Sequence, residues 1–149
     1  MKKFVFLLMA LPLLFTACGE DEETFVQQNY LVGKWEITQT GTMNAQGAIN
    51  YTNYVNDANC DKDNYIFNAD FTYQQNDFVN SGTCTNQSIS GTYNRLSTSL
   101  TLRYTTNAGG STQVITQSLT IVSLTYTEIV VAYTTSNSNQ LVYLKMTKV

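Results

Sequence analysis

Leu100-Thr101-Leu102-Arg103-Tyr104, then Asn107-Ala108-Gly109-Gly110, then Ile115-Thr116-Gln117-Ser118-Leu119-Thr120-Ile121: this stretch decides the fold. Apolar and aromatic side chains alternate with Thr, Arg and Ser on each side of a turn rich in Asn and Gly. Successive side chains of a strand point to opposite faces, so a period of two means one buried face and one wet face. Asn and Gly supply the positive φ angles of a tight connection. The stretch therefore reads as a hairpin.

The same rule holds outward in both directions. Gly33, Trp35 and Ile37 alternate with Lys34, Glu36 and Thr38. Ile129, Val131 and Tyr133, then Val142, Leu144 and Met146, keep the period. Further turn signals stand at Asn44-Ala45-Gln46-Gly47, Asn68-Ala69-Asp70, Asn80-Ser81-Gly82 and Ser136-Asn137-Ser138-Asn139. The chain is rich in β-branched and aromatic residues, which favour strands, and its single proline is Pro12. No stretch carries a sustained 3.6 period; only Thr24 to Tyr30, with Thr24 as cap, fits one or two helical turns. The expected fold is all-β, with eight or nine modest strands joined mostly by hairpins. Such a meander closes most economically as a small up-and-down antiparallel barrel, which leaves no open edge. An open two-sheet sandwich is the alternative.

Three segments precede or make up this body. Met1-Lys2-Lys3 is a positive start, Phe4 to Phe15 is apolar throughout, and Thr16-Ala17-Cys18 follows. That order is what the export machinery reads, so residues 1–17 are expected to be a signal peptide. Twelve residues span roughly 18 Å as a helix, short of a ~30 Å hydrocarbon core. Phe15-Thr16-Ala17-Cys18 resembles the bacterial lipobox, with Phe15 where Leu is usual. The resemblance implies a lipid on Cys18. Glu20-Asp21-Glu22-Glu23 behind it resembles the surface-export signal of Bacteroidota lipoproteins; the plainer reading is a flexible acidic spacer. Residues 18–29 then form a lipidated acidic tether and residues 30–149 the barrel. The expected location is the outer membrane, through the lipid at Cys18, with the cell surface as the facing that the acidic run suggests.

The chain has 149 residues, 11 acidic and 8 basic, for a net charge of −3. Four acids lie in the tether, so residues 30–149 carry seven acids against six bases. A nearly neutral body argues against nucleic acid as a partner. Of three cysteines, Cys18 is taken by lipid, which leaves Cys60 and Cys84. In an exported compartment that pair is expected to be a disulfide. Free thiols or a redox pair are the alternatives, although the spacing is not Cys-x-x-Cys.

Leu31-Val32-Gly33-Lys34-Trp35-Glu36 opens the first strand; Cys60-Asp61-Lys62-Asp63, Tyr65-Ile66-Phe67, Asp70-Phe71-Thr72-Tyr73, Cys84 and Ser90-Gly91-Thr92-Tyr93 follow. Gly-x-Trp at the first strand of a single-domain β meander is similar to the lipocalin (calycin) signature. The whole order resembles the lipocalin-like lipoproteins of Bacteroidota, over about residues 30–149. The resemblance implies that Gly33 and Trp35 are structural, with Trp35 closing the barrel floor under a basic residue of the last strand, Lys145 or Lys148. It also implies a turn glycine where this chain has Phe71.

Catalytic chemistry finds little material. There is no histidine, hence no Ser-His-Asp or Cys-His arrangement and no histidine-held metal. The body's acids are Glu36, Asp57, Asp61, Asp63, Asp70, Asp77 and Glu128, and five of them lie in or beside turn signals, where solvation is the default. Asp57, Asn59, Asp61 and Asp63 alternate like the start of an EF-hand loop. Lys62 stands where that loop needs glycine and Asn68 where it needs a glutamate. No enzyme activity, cofactor or metal is expected.

The remaining functional material is aromatic. Tyrosine pairs an apolar face with a hydroxyl, which suits a small-molecule pocket. Tyr73, Tyr93, Tyr104 and Tyr133, all on strands, are the candidate ligand contacts; the plainer reading is that they fill the barrel. Two functions follow. One is a membrane-anchored, lipocalin-like binding module for a small apolar or amphipathic ligand. The other is a structural or interaction lipoprotein with a filled barrel, docking on an envelope protein or glycan through Gly41–Asn59 and Thr105–Thr112.

Overall fold

The computed structural model describes residues 30–108, 110–135 and 140–149. Nine strands follow in chain order: β1 (Gly33–Met43), β2 (Ile49–Asn53), β3 (Asn64–Phe67), β4 (Thr72–Asn80), β5 (Cys84–Leu96), β6 (Ser99–Ala108), β7 (Ser111–Leu124), β8 (Glu128–Thr134) and β9 (Leu141–Lys148). All pairings are antiparallel, and β1 pairs with β9, so the sheet closes into a barrel of eight strands. The sandwich is thereby set aside. The ninth strand, β2, shares one edge of β1 with β3: Gly33–Glu36 pair with β3 and Gln39–Met43 with β2.

Asn and Gly make the turns as their chemistry dictates. Asn44 Oδ1 accepts from the amides of Gln46 and Ala48, at 3.0 and 2.9 Å, in the β1–β2 turn. Asp70 Oδ1 accepts from the amide and hydroxyl of Thr72 between β3 and β4. Phe71 adopts φ +63°, the conformation a glycine would take there. The backbone thus keeps the glycine geometry, and the Phe71 ring lies on Tyr93, with centroids 5.8 Å apart. Thr105–Thr112 is not a loop: β6 continues to Ala108 and β7 begins at Ser111. Thr24 to Phe25 and onward to Asn29, and Ser136-Asn137-Ser138-Asn139, lie outside the described residues.

The expected inward parity is observed. Trp35, Phe67, Tyr73, Leu100, Leu102, Ile129, Val131 and Met146 form one buried core with their neighbours. A bulge in β1 between Ile37 and Gln39 shifts the register, and the Thr38 hydroxyl donates to the Lys145 carbonyl at 3.1 Å. A smaller cluster of Val130, Ala132 and Tyr143 packs with Ile49 and Tyr51.

The two ends differ in pairing. At the end that carries Trp35 the strands pair all round. At the other end three seams open, the first where β4 beyond Asn76 has no strand partner on its β3 side. β5 and β6 pair only from Gly91–Tyr104 to Leu96–Ser99, and β7 and β8 only from Thr120–Ala132 to Leu124–Ile129. The β6–β7 hairpin, paired internally up to Ala108–Ser111, therefore stands between two seams.

Candidate functional site

The closed end is built around Trp35, which is wholly buried. Its indole N–H donates to the Leu31 carbonyl at 2.7 Å. The Lys148 ammonium lies 5.1 Å from the Trp35 ring centroid and 5.4 Å from that of Tyr126, a cation–π arrangement on both. Lys148 also donates to the Tyr30 carbonyl at 3.0 Å. Lys145 takes a different place, over Tyr51 and 3.1 Å from Glu128. Gly33 has φ +136°, and a Cβ there would meet Lys148 Cε at 2.5 Å. The Gly-x-Trp pair is thus needed where the lysine stem crosses the strand.

Above this floor Tyr73, buried, stacks toward Phe67 with centroids 6.3 Å apart. Tyr93, also buried, meets Phe67 edge-on at 5.1 Å and donates its hydroxyl to the Asn68 carbonyl at 2.8 Å. These two tyrosines sit in the packed interior. Tyr104 and Tyr133 stand at the seams and remain partly exposed. They line a cleft of about 580 Å³, together with Ile115, Gln117 and Thr134 among others. It lies where β7 and β8 part. A second groove of about 430 Å³, lined by Gly91, Arg103, Tyr104 and Val114 among others, lies where β5 and β6 part. Gly91 is the last paired residue of β5 there, and a Cβ on it would lie 2.1 Å from the Arg103 carbonyl oxygen. Tyr104 lines both spaces, at the base of the β6–β7 hairpin.

The barrel is therefore filled at one end and open at the other. The open half holds residues that composition alone did not single out. β4 presents Tyr73, Gln75 and Asp77 at alternate positions, opposite Phe67 and Tyr65 of β3 for the first two. The signal was present: Tyr73 fixes the inward parity, and two polar residues follow it on the same face. Gln75 Nε2 donates to both Asp77 oxygens, at 3.3 and 3.2 Å. Burial raises the Asp77 pKa, the hydrogen bond from Gln75 works against it, and the Asp63 charge adds to it. Burial likewise raises Tyr54, Tyr65 and Tyr133. It pushes Tyr73 up to about 12, so these phenols stay protonated donors at neutral pH.

Asp63 overturns the expectation that the turn acids are solvated. It is 8% exposed. Oδ2 accepts the Tyr54 hydroxyl at 2.6 Å, and Oδ1 accepts the Phe78 amide at 2.7 Å. Its own amide donates to Asn56 Oδ1 at 2.9 Å. This carboxylate stands in for a missing strand beside the upper half of β4. Asp57 does the same for the Asn80 amide at 2.7 Å. The Cys60–Cys84 disulfide, with Cα atoms 5.5 Å apart, ties the same loop to the tip of the β4–β5 hairpin. Among the described residues no three His, Cys, Asp or Glu side chains gather to hold a metal.

A family model described as a lipocalin-like domain matches residues 31–143. The chain belongs to the lipocalin-like family. Two solved structures resemble this lipocalin-like barrel. One is a lipocalin-like protein from Bacteroides uniformis ATCC 8492, with a TM-score of 0.50 and 13% identity, covering 80% of this chain and 99% of that one. The other is an uncharacterized protein from Bacteroides eggerthii DSM 20697, with a TM-score of 0.48 and 10% identity over the same shares. At such identity the first likeness speaks for the fold alone. No curated protein matches the sequence. Lipocalin-like proteins are generally binding proteins rather than enzymes, and the barrel is of the ligand-binding type.

Proposed function

We propose that this lipocalin-like chain is a lipid-anchored binding module that admits a small apolar or amphipathic molecule through the open end of its barrel. The observation that carries this reading is the cleft of about 580 Å³ bounded by Tyr104, Ile115, Gln117 and Tyr133. Its size falls within the range of small-molecule pockets, and its lining sets Tyr104, Ile115 and Tyr133 among the polar Thr116, Gln117, Ser118, Thr134 and Thr135. No carboxylate of the described residues lines this cleft. The module is thus proposed to bind and not to catalyse.

The anchor fits this geometry. Tyr30 sits at the closed end, against Lys148 and Tyr126. A tether through residues 18–29 would leave from that end, and a lipid on Cys18 in the outer membrane would turn the mouth away from the bilayer. Native mass spectrometry of the protein taken from its own membrane tests both parts. A small-molecule adduct on the folded barrel and a lipid mass at Cys18 are expected. A bare barrel that also takes up no fluorescent apolar probe would sink the ligand reading.

The second reading, docking on an envelope protein or glycan, draws on the β6–β7 hairpin, which stands clear of both neighbouring ladders. Unpaired strand edges accept partner strands. Crosslinking at Thr105 and Thr112 that yields one defined partner, with no ligand in the cleft, would favour it over the first.

A further inference from the structure

The connections at the two ends of the barrel differ in chemistry. At the open end they run through Asn44-Ala45-Gln46-Gly47 and Asn80-Ser81-Gly82. At the closed end the β3–β4 turn carries Phe71, the β5–β6 turn starts at Leu96 and the β7–β8 turn carries Tyr126. Leu96 is 75% exposed, Tyr126 71% and Phe71 47%. Tyr30, just before β1, and Val149, just after β9, are exposed at the same end. The other exposed large apolar side chains of the described residues lie along strands, apart from Val55 in the β2–β3 loop. Turn tips are ordinarily polar because water solvates them. Here one rim of the barrel turns three large apolar side chains to solvent, which marks a contact surface.

The rest of that end says what covers the rim. Tyr30 belongs to it, with its ring edge-on to Tyr126 and the centroids 6.3 Å apart. The chain from Cys18 therefore arrives at this rim, and its twelve residues span at most about 40 Å even when extended. Charge points the same way. Lys34, Arg95 and Lys148 stand at this end, and the Lys148 ammonium lies 5.4 Å from the Tyr126 ring centroid. Of the acids here, Glu36 is shared by Lys34 and Lys62, Glu128 is paired with Lys145, and Asp70 remains. Asp57, Asp61 and Asp77 lie toward the mouth, Asp57 on the Asn80 amide and Asp61 beside the Cys60–Cys84 bridge. Aromatic and aliphatic tips among bases suit a bilayer interface: the rings sit at headgroup level, aliphatic groups reach the acyl boundary, and bases meet lipid phosphates. Acids at the far end are repelled by an anionic surface, which favours the same orientation.

We propose that the closed end of the barrel rests on the lipid surface, with Phe71, Leu96 and Tyr126 seated in the interface and the bases of that rim beside lipid phosphates. The proposal rests on the lipid-anchor reading above. It goes beyond it by assigning the face that meets the bilayer and the residues that seat it.

The test uses the lipidated chain, reconstituted in vesicles of phosphatidylcholine and phosphatidylglycerol with brominated or ordinary acyl chains. Phe71→Trp, Leu96→Trp and Tyr126→Trp each add one indole at the rim, and Ser81→Trp adds one at the mouth. Emission is read against the wild type, whose single indole, Trp35, is buried. The three rim variants should lose their added emission in brominated vesicles, and Ser81→Trp should keep it. If the rim variants are not quenched while mass spectrometry finds the lipid on Cys18, the anchor stands and the seated rim is wrong. Quenching of Ser81→Trp in their place reverses the orientation and overturns the proposal. Unquenched rim variants on a chain that runs as a dimer would assign the rim to a second copy, which also overturns it. If Cys18 carries no lipid, the anchor reading falls, and quenching of the unmodified chain on the same vesicles still decides the rim. The three positions are exposed and read separately, so a variant that fails to fold leaves two that decide.

Discussion

The closed and open ends of this barrel obey one alternation and use it oppositely. At the floor the inward positions are Trp35, Phe67, Leu100, Ile129 and Met146, all buried. At the mouth they are Gln75, Asp77, Tyr104, Gln117 and Tyr133, half-buried. At the floor each strand has both neighbours; at the mouth β5 leaves β6 and β7 leaves β8. The difference teaches a division of labour. Apolar burial at one end supplies the stability that lets the other end keep polar groups and open seams, which cost stability and suit binding.

The strongest way to break that division is Trp35→Ala. The ring is wholly buried, donates its N–H to Leu31 and lies under Lys148. Deleting it should cost about 3–5 kcal/mol in denaturant unfolding, as for buried aromatics in general. Tyr133→Ala, at the mouth, should cost roughly 1–2 kcal/mol, because its ring is only partly removed from water. Equal losses at the two sites would mean that the ends are not energetically distinct.

The Cys60–Cys84 bridge should come next. It closes a loop with a sequence separation of 24 residues, and the chain-entropy estimate for such a loop is about 3 kcal/mol. The Cys60→Ser, Cys84→Ser double variant should lose up to that much. Its effect should be uneven as well. Hydrogen exchange is expected to speed most at Val79, Asn80 and Thr85, beside the bridge, beyond the change that global destabilisation imposes at Trp35 and Ile129. A uniform change would show that the bridge acts only on the unfolded chain.

Asp63→Ala should cost about 2 kcal/mol, within the range for stranding buried partners of a carboxylate. It leaves the Tyr54 hydroxyl and the Phe78 amide without an acceptor. Tyr54→Phe, which removes one of the two donors, should cost less, as read by thermal unfolding. If Asp63→Ala proves neutral, water has replaced the carboxylate and the loop does not stand in for a strand.

The floor was legible in the sequence because its residues follow one simple rule. Leu100, Leu102, Ile129, Val131, Leu144 and Met146 alternate, Gly33 and Trp35 mark the first strand, and the turns carry Asn and Gly. The mouth was legible only in part. Tyr104 and Tyr133 were marked as strand tyrosines, but Gln75 and Asp77 break the apolar period and read as a solvated strand end. Asp63 was hidden for a different reason. Its burial depends on the Phe78 amide, 15 residues away and lacking a strand partner on that side, and no local pattern announces such a vacancy. Phe71 shows the reverse: the chain departs from the expected glycine, yet the backbone keeps φ +63° because neighbouring hydrogen bonds fix it, with the Phe71 amide on Asn68 and the Tyr93 amide on the Phe71 carbonyl.

The smallest expected effect is the most informative about the mouth. Burial raises the Asp77 pKa in the folded chain above its unfolded value. Between those two values the folded state holds more protons than the unfolded state, so stability falls as pH rises through the window and stays lower above it. Asp77→Asn removes that loss. The variant should therefore melt slightly higher than wild type at pH 7 and equally at pH 3, where Asp77 is protonated in both states. Asp70 titrates in the opposite sense, its pKa lowered by the Thr72 hydroxyl and amide, but it contributes equally to both proteins and cancels in the difference. A melting difference that does not change with pH would mean that the carboxylate is well solvated. A difference that grows with pH would mark a charge left unanswered inside the barrel.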